Sequence, residues 1–509
     1  MGQITIHCGT SFQRYKSLTA IIIFSLLLAG CTTLTPTKVT NGEVAEFASE
    51  KLDNVTKNQE PVSGPIGLYE AMARALKYNR DFQVEIANKT LRARELEIAS
   101  YKDLPELVST LDYNGRDNFS GGSSQSLQTG VESLEPSTSS EKNVLATDLK
   151  LSFNVLDFGL SYVKAKQAAN EVLIAEELKR KTINKIIEDV RTAYWRALGS
   201  QRVVNKLGSL KKRAAKALRS SERLLASGET DPLVELTYQR ELAQIEEELK
   251  KLNADLRVAK AQLAALINLP PGQKFSLRDK HQPHGQLALK SDLSTMIESA
   301  LNNRPEIKEA IYKHRIDQHE ADAALLELLP GIQVFLGPNW NTNDFLFNSN
   351  WIGWGAKASW NVMKVFQYPI TKKHIEARSE VLRKQTLALT MAVMTQIHVS
   401  RLRHFNAHES YHSARKINRI QTRILKQLKS SSNAGAVSEH SLIREEMNTI
   451  LSDIKEDVAY AELQSAYAGA QVAMGLDVYE NESIISEYTF AQTSVGELAN
   501  ELRQIWGKR

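Results

Sequence analysis

The 509-residue sequence predicts a mainly α fold with membrane β. Two tandem repeats of helix–strand–strand–long helix–turn–helix follow one another, the long α-helices forming a coiled-coil barrel and four β-strands per chain contributing to an oligomeric transmembrane β-barrel. Three observations predict it. The two halves match in order and spacing, short segments alternate oily and wet residues, and two stretches of about 64 residues run without proline.

The chain opens on an apolar run of 13 residues, Leu18–Gly30, preceded by Arg14 and Lys16 and ending Leu28-Ala29-Gly30-Cys31. A charged start, a short apolar core and small residues ahead of a cleavage point make an export signal, and the run is shorter than the roughly 20 residues a permanent span needs. Small residues directly before a cysteine resemble a bacterial lipoprotein signal. That resemblance implies removal of residues 1–30 and a covalent lipid, including palmitate, on Cys31. Thr32 in place of aspartate implies transfer to the outer membrane. The alternative is a plain secretory signal. Residues 31–67 are polar and read as a lipid-anchored tether.

Composition narrows the rest. Formal net charge is +5, and residues 1–30 carry two of the basic groups and no acidic one, leaving +3. No basic stripe of the kind that binds nucleic acid is expected. Cys8 falls in the signal, so Cys31 is the one cysteine left and no intrachain disulfide can form. No later window approaches 18 consecutive apolar residues.

The duplication sets the architecture. Ala75-Leu76 and Leu104-Pro105 recur 225 positions on, as Ala300-Leu301 and Leu329-Pro330. Ser152-Phe153-Asn154-Val155 and Gly228 recur 207 positions on, as Ser359-Trp360-Asn361-Val362 and Gly435. The difference is an 18-residue insertion between Leu104 and Ser152, in the Gly/Ser-rich stretch around Gly121 and Ser139. The first repeat is expected over 68–267 and the second over 291–476, with an inter-repeat linker at 268–290 and a tail at 477–509.

Each repeat starts with a helix, about 68–103 and 293–328, ended by Pro105 or Pro330, which cannot continue the hydrogen-bond ladder. Strands are expected at about 107–117 and 144–155, and at 332–341 and 351–362. In the second, Leu145, Thr147, Leu149, Leu151 and Phe153 alternate with Asp148, Lys150, Ser152 and Asn154. In the fourth, Ile352, Trp354, Ala356, Ala358 and Trp360 alternate with Gly353, Gly355, Lys357 and Ser359. Period two with one oily and one wet face suits a strand that separates two solvents, and about ten residues suits a tilted membrane strand. A soluble sheet packed on one face shows the same alternation. Four strands cannot close a membrane barrel, which needs at least about eight, and open edges are excluded from lipid. Strands in lipid would therefore be supplied by several copies, in multiples of four.

Long helices follow, in hairpins expected at 160–267 and 370–476. In the first return helix, Leu242, Ile245, Leu249, Leu252, Leu256, Ala259, Leu263 and Leu266 repeat at alternating spacings of three and four, a coiled-coil seam. The first turn, Ser227-Gly228-Glu229-Thr230-Asp231-Pro232, pairs a C-cap glycine with an N-cap aspartate and a proline at the first helical position. Its counterpart is Ser432-Asn433-Ala434-Gly435-Ala436-Val437-Ser438, with Ser438 as N-cap.

In this order and spacing the chain resembles the TolC-like outer-membrane efflux channels, in their lipoprotein branch, over roughly Leu68 to Leu476. Leu156-Asp157-Phe158-Gly159 at the strand–helix junction, the two tip glycines, Leu266-Ile267-Asn268-Leu269-Pro270-Pro271-Gly272 and Asn303-Arg304-Pro305-Glu306-Ile307 carry the resemblance. It implies a homotrimer in the bacterial outer membrane, lipid-anchored and extending into the periplasm. It also implies a passive conduit of a tripartite efflux or type I secretion system, with a periplasmic adaptor protein and an inner-membrane pump as partners, outer-membrane lipid around it, no cofactor beyond the lipid on Cys31, and no enzyme activity. The adaptor-contact tips are then Gly228, Glu229, Thr230, Asp231, Gly435, Ala436, Val437 and Ser438. Glu439, His440, Arg444 and Glu445 are candidates for the aperture lining, with solvated helix residues as the alternative. Family members often carry aspartates six and nine residues beyond the second tip glycine, where this chain has Ser441 and Arg444.

Two further readings belong beside it. A periplasmic coiled-coil adaptor or scaffold lipoprotein also uses helical hairpins, but only one, and two strand-launched hairpins favour the channel. A zinc metalloprotease is suggested by His408-Glu409-Ser410-Tyr411-His412, which matches H-E-x-x-H, with His404 one turn earlier. The motif falls inside a long helix, without an evident cleft or third ligand. The three histidines are read as a polar helix face and only weak metal candidates.

Overall fold

The computed structural model describes residues 37–133, 135–228, 231–278, 287, 289, 291–433, 439–476 and 493–506. The apolar run, Cys31, Glu229, Thr230, and Gly435 with its neighbours Ala436, Val437 and Ser438 lie outside the described residues.

The chain divides into two units at Gln59 and Glu60. In the first, α1 (Asn41–Val55) starts at a capping box. The Thr40 hydroxyl accepts from the Glu43 amide at 3.2 Å, and the Glu43 carboxylate accepts from the Thr40 amide at 2.7 Å, so two of the orphan amides of a helix start are satisfied.

The second unit holds the repeats. α2 (Leu68–Tyr78) and α3 (Arg80–Tyr101) are two helices where periodicity predicts one. Asn79 between them is extended, and its side chain accepts from Phe82 N at 3.1 Å, so a cap interrupts the ladder. β1 (Glu106–Gly115) starts directly after Pro105. β2 (Gly121–Gly122) and β3 (Ser137–Thr138) pair within the loop before β4 (Asn143–Asn154). β4 passes straight into α4 (Val155–Ser227), because Asn154 caps it by accepting from Leu156 N at 3.1 Å. α4 has 73 residues, roughly 110 Å at 1.5 Å per residue. Gly228 ends it at φ 71°, and α5 (Pro232–Leu266) returns from an Asp231 cap that accepts from Leu233 N at 2.9 Å.

The second repeat follows the same course. α6 (Leu293–Asn303) and α7 (Pro305–Leu326) are split at Arg304, which Pro305 holds extended at ψ 135°. β5 (Gly331–Asn341), β6 (Asn350–Ser359), α8 (Met363–Asn433) and α9 (Glu439–Ala473) come next, then α10 (Val495–Trp506). α8 includes Pro369 in its second turn and so begins seven residues before Ile370, the start expected from the proline-free run. Gly475, at φ 71°, turns the chain where α9 ends. A Cβ there would stand 2.8 Å from Arg304 N, so the end of α9 abuts the start of α7.

Among the described residues four buried clusters tie the helices together. Met72, Phe82, Ile183, Ile187, Leu263 and Leu502 join α2, α3, α4, α5 and α10. Leu242 and Leu249 of the predicted α5 seam pack with Leu210 and Ala214 of α4 and also with Ile443, Met447 and Ile450 of α9. The seam thus holds the second hairpin as well as its own. Met296 and Ala300 pack with Val393, Ile397 and Met474. Ala407 and Tyr411 of α8 pack against Ala459, Tyr460 and Leu463 of α9. The linker threads beside the first cluster. Ile66 and Leu277 form a parallel bridge, and Gln201 accepts from Leu277 N at 2.8 Å while donating to Leu277 O at 2.9 Å.

Candidate functional site

β1, β4, β5 and β6 form one antiparallel sheet in that order. Residues paired across strands share a face, so register sorts the sheet. Leu107 pairs with Leu151 and Tyr113 with Leu145, while Leu151 pairs with Leu336, and Leu336 with Trp354. Thr110 pairs with Asp148, Asp148 with Asn339, and Gln333 with Lys357. One face is oily across all four strands and the other is wet. On the wet face the Thr110 hydroxyl donates to Asp148 Oδ2 at 2.6 Å, and the Lys150 ammonium sits 4.7 Å from the Phe335 ring centre.

The oily face is not covered by this chain: Trp354 is 81% and Leu111 70% exposed. An apolar face of four strands left open exceeds what a monomer in water normally shows. The outer edges of β1 and β6 have no strand partner among the described residues. All four strands meet helices at the same end, where Glu106 pairs with Ser152 and Gly331 with Ser359.

One contact fixes the centre of the sheet. A Cβ on Gly337 would lie 1.9 Å from Leu149 O, so β4 and β5 approach too closely there for any side chain. Gly353 and Gly355 differ, since their neighbours are the Asn339 and Phe335 side chains.

Below the sheet, α4 faces α9 along a line of arginines spaced eleven residues apart. Arg191 donates to Gln464 at 2.9 Å, Arg202 to Asp457 Oδ1 at 2.8 Å, and Arg213 to Glu446. Eleven residues are close to three whole helical turns, so the three guanidinium groups stay on one face. Gly199 makes room for Asp457, whose Cβ is 2.9 Å from where a Gly199 Cβ would be. Burial pushes the Asp457 carboxyl up, against the pull of Arg202. Burial lowers the Arg191 guanidinium. Sequence reading misses this ladder, though the spacing of the arginines is visible there.

A groove of about 760 Å³ runs between α4, α8 and α9, with Glu188, Arg196, Arg304, Arg403 and Glu462 along it. Burial raises Glu188, with Asp189 adding to the effect.

The predicted site residues fall in three places. Gly228 and Asp231 form the first hairpin turn. Glu439 and His440 open α9. Arg444 Nη1 is 3.9 Å from Glu241 Oε2 on α5, and Glu445 accepts from Gln421 of α8, so these two reach toward the neighbouring helices of their own chain. His404, His408 and His412 lie along α8. His404 is buried and its Nε2 donates to Leu287 O at 2.6 Å. Among the described residues, no three His, Cys, Asp or Glu side chains are grouped to hold a metal ion. No helix among them is long and apolar enough to cross a membrane.

Residues 71–269 match the family described as outer membrane efflux protein. Among curated proteins the chain has no match. Among solved structures it is similar to the outer-membrane channel OprN, at 15% identity and TM-score 0.62 over 80% of this chain and 89% of that one. It is similar to the CmeC outer membrane channel of Campylobacter jejuni, at 13% identity and TM-score 0.61 over 93% and 94%. It is also similar to the MtrE outer membrane channel of Neisseria gonorrhoeae in its open state, at 15% identity and TM-score 0.58 over 82% and 94%. At these identities the likeness is one of fold.

Proposed function

We propose, for a chain whose residues 71–269 match the outer membrane efflux protein family and whose fold is similar to those of the OprN and CmeC channels, that it is the outer-membrane channel component of a tripartite export system. The observation that carries this reading is the open four-stranded sheet, oily on one face and wet on the other, with every strand joined at one end to the long helices.

The oily face would meet lipid and the wet face would line the pore. Edges cannot remain open in hydrocarbon. Three copies, joined β1 to β6, would close twelve strands. Transport through such a wall needs no reacting group, only a continuous wet lining. The apolar run ending Leu28-Ala29-Gly30 directly before Cys31 supports a lipid on that cysteine as a second membrane attachment, and the hairpin turns at Gly228 and Gly435 are the proposed contacts for a periplasmic adaptor, which in turn would meet an inner-membrane pump. Glu439, His440, Arg444 and Glu445 remain the proposed lining near the second turn.

Planar-bilayer recording of the purified oligomer tests the reading. Steady ion conductance from a trimer is the expected result. A protein that stays monomeric in detergent and never conducts would overturn it. Labelling with a palmitate analogue, lost in Cys31→Ser, tests the anchor separately.

A further inference from the structure

The export reading leaves the histidine stripe on α8 without a role. Its three members differ in what they are free to do. His404 is buried and spends its Nε2 proton on Leu287 O. His408 is half-buried and His412 is exposed, and among the described residues neither ring is hydrogen-bonded. Four positions apart on one helix, they share a face. Their ring centroids are 4.5 Å apart, with the planes tilted by 60°.

We propose that His408 and His412 form a two-nitrogen site for a divalent late first-row transition metal, with copper(II) preferred. With metal–nitrogen bonds of about 2.0–2.1 Å, two imidazoles bound at right angles bring their centroids to roughly 4.5 Å of each other, the spacing found here. A right-angled pair with positions left for water is the tetragonal arrangement copper(II) takes from nitrogen ligands, and copper(II) also heads the general affinity order. The helix holds both histidines at fixed separation, so little ordering is left to binding. Glu409 Oε1 lies 3.6 Å from His408 Nδ1, too far for a hydrogen bond but close enough to place a negative charge beside a bound cation. The absence of a third grouped ligand among the described residues suits an open, water-completed site rather than a closed structural one. The first repeat has no equivalent, because Gln201 stands 207 positions before His408 and is bonded to Leu277.

The test is titration of the full-length detergent-solubilised protein, free of any affinity tag, with copper(II), nickel(II) and zinc(II) salts. Binding is followed by calorimetry and by electron paramagnetic resonance of the copper form. One copper per chain, a spectrum with two imidazole nitrogens, and weaker nickel and zinc binding are expected. His408→Ala and His412→Ala should each weaken copper binding at least tenfold, with unchanged circular dichroism and oligomer size. Glu409→Gln should weaken it less. Copper binding that survives the double variant, or a wild-type protein that binds none of the three metals, would overturn the proposal.

Discussion

Arg202 of α4 donates to Asp457 of α9 at 2.8 Å, joining the first hairpin to the return arm of the second across 255 positions of sequence. Gly199 beneath the pair lets the two helices close.

Arg202→Ala should destabilise the contact between the hairpins. Both side chains are less than a quarter exposed. Removing one partner of a fully buried pair costs about 3–5 kcal/mol, and partial exposure reduces this to roughly 1–3 kcal/mol. Asp457→Asn should cost less, since the amide oxygen still accepts and the buried charge is gone. The raised Asp457 carboxyl fixes a sign. The folded state holds this proton more tightly, so the Asp457 contribution falls as pH rises from the ordinary aspartate range to the folded value. Thermal melts of wild type and Asp457→Asn across acidic pH check both statements, and a wild type that gains stability through Asp457 over that rise would contradict them.

Gly337→Ala should block assembly of the sheet. The new methyl meets the Leu149 carbonyl, part of a backbone that cannot rotate away, and the expected loss exceeds about 3 kcal/mol. Gly353→Ala meets the movable end of Asn339 and should be tolerated within about 1 kcal/mol. The yield of folded oligomer in outer-membrane fractions compares the two.

Trp354→Lys and Lys357→Gln probe opposite faces of β6. A lysine near the middle of a lipid-facing strand costs about 2–4 kcal/mol, so Trp354→Lys should lower membrane assembly. Lys357→Gln should leave assembly intact and shift the ion selectivity of single channels toward cations. Equal effects of the two on assembly would contradict the assignment of faces.

His404 predicts a pH dependence of the opposite sign from Asp457. Burial lowers it, and the neighbouring His408 adds to that, against the Leu287 hydrogen bond. The neutral ring is therefore favoured in the folded protein. Stability contributed here is present above the ordinary histidine range and is lost as pH falls through that range toward the lower folded value. Amide protection factors at Leu287 and Leu289, corrected for the intrinsic slowing of exchange at lower pH, should fall on acidification in wild type, and His404→Gln should flatten the change.

Local features of the sequence carried much of the fold. Pro105 and Pro330 mark where helix yields to strand, Gly228 and Asp231 make the first hairpin turn, and alternation in β4 and β6 sorts oily from wet residues. Other features lay beyond it. The helical periodicity through Asn79 hid a cap that splits α2 from α3, and the proline-free runs hid that α4 starts directly where β4 ends and that α8 starts ahead of Pro369. Arg444 and Glu445 read in sequence as candidates for an aperture lining, and only the structure shows that Glu241 and Gln421 stand beside them.

The sequence by itself determined the repeat, the period of each segment and the residues that stop it, because these depend on backbone geometry over a few positions. Only the tertiary structure decided that Arg191, Arg202 and Arg213 meet Gln464, Asp457 and Glu446, that Gly337 lies against Leu149, and that His404 is engaged while His408 and His412 are open. The physical reason is rotational phase. Over a helix of 73 residues, a drift of about 20° in each heptad turns one face into another, and the packing of distant segments alone sets which face each side chain finally shows.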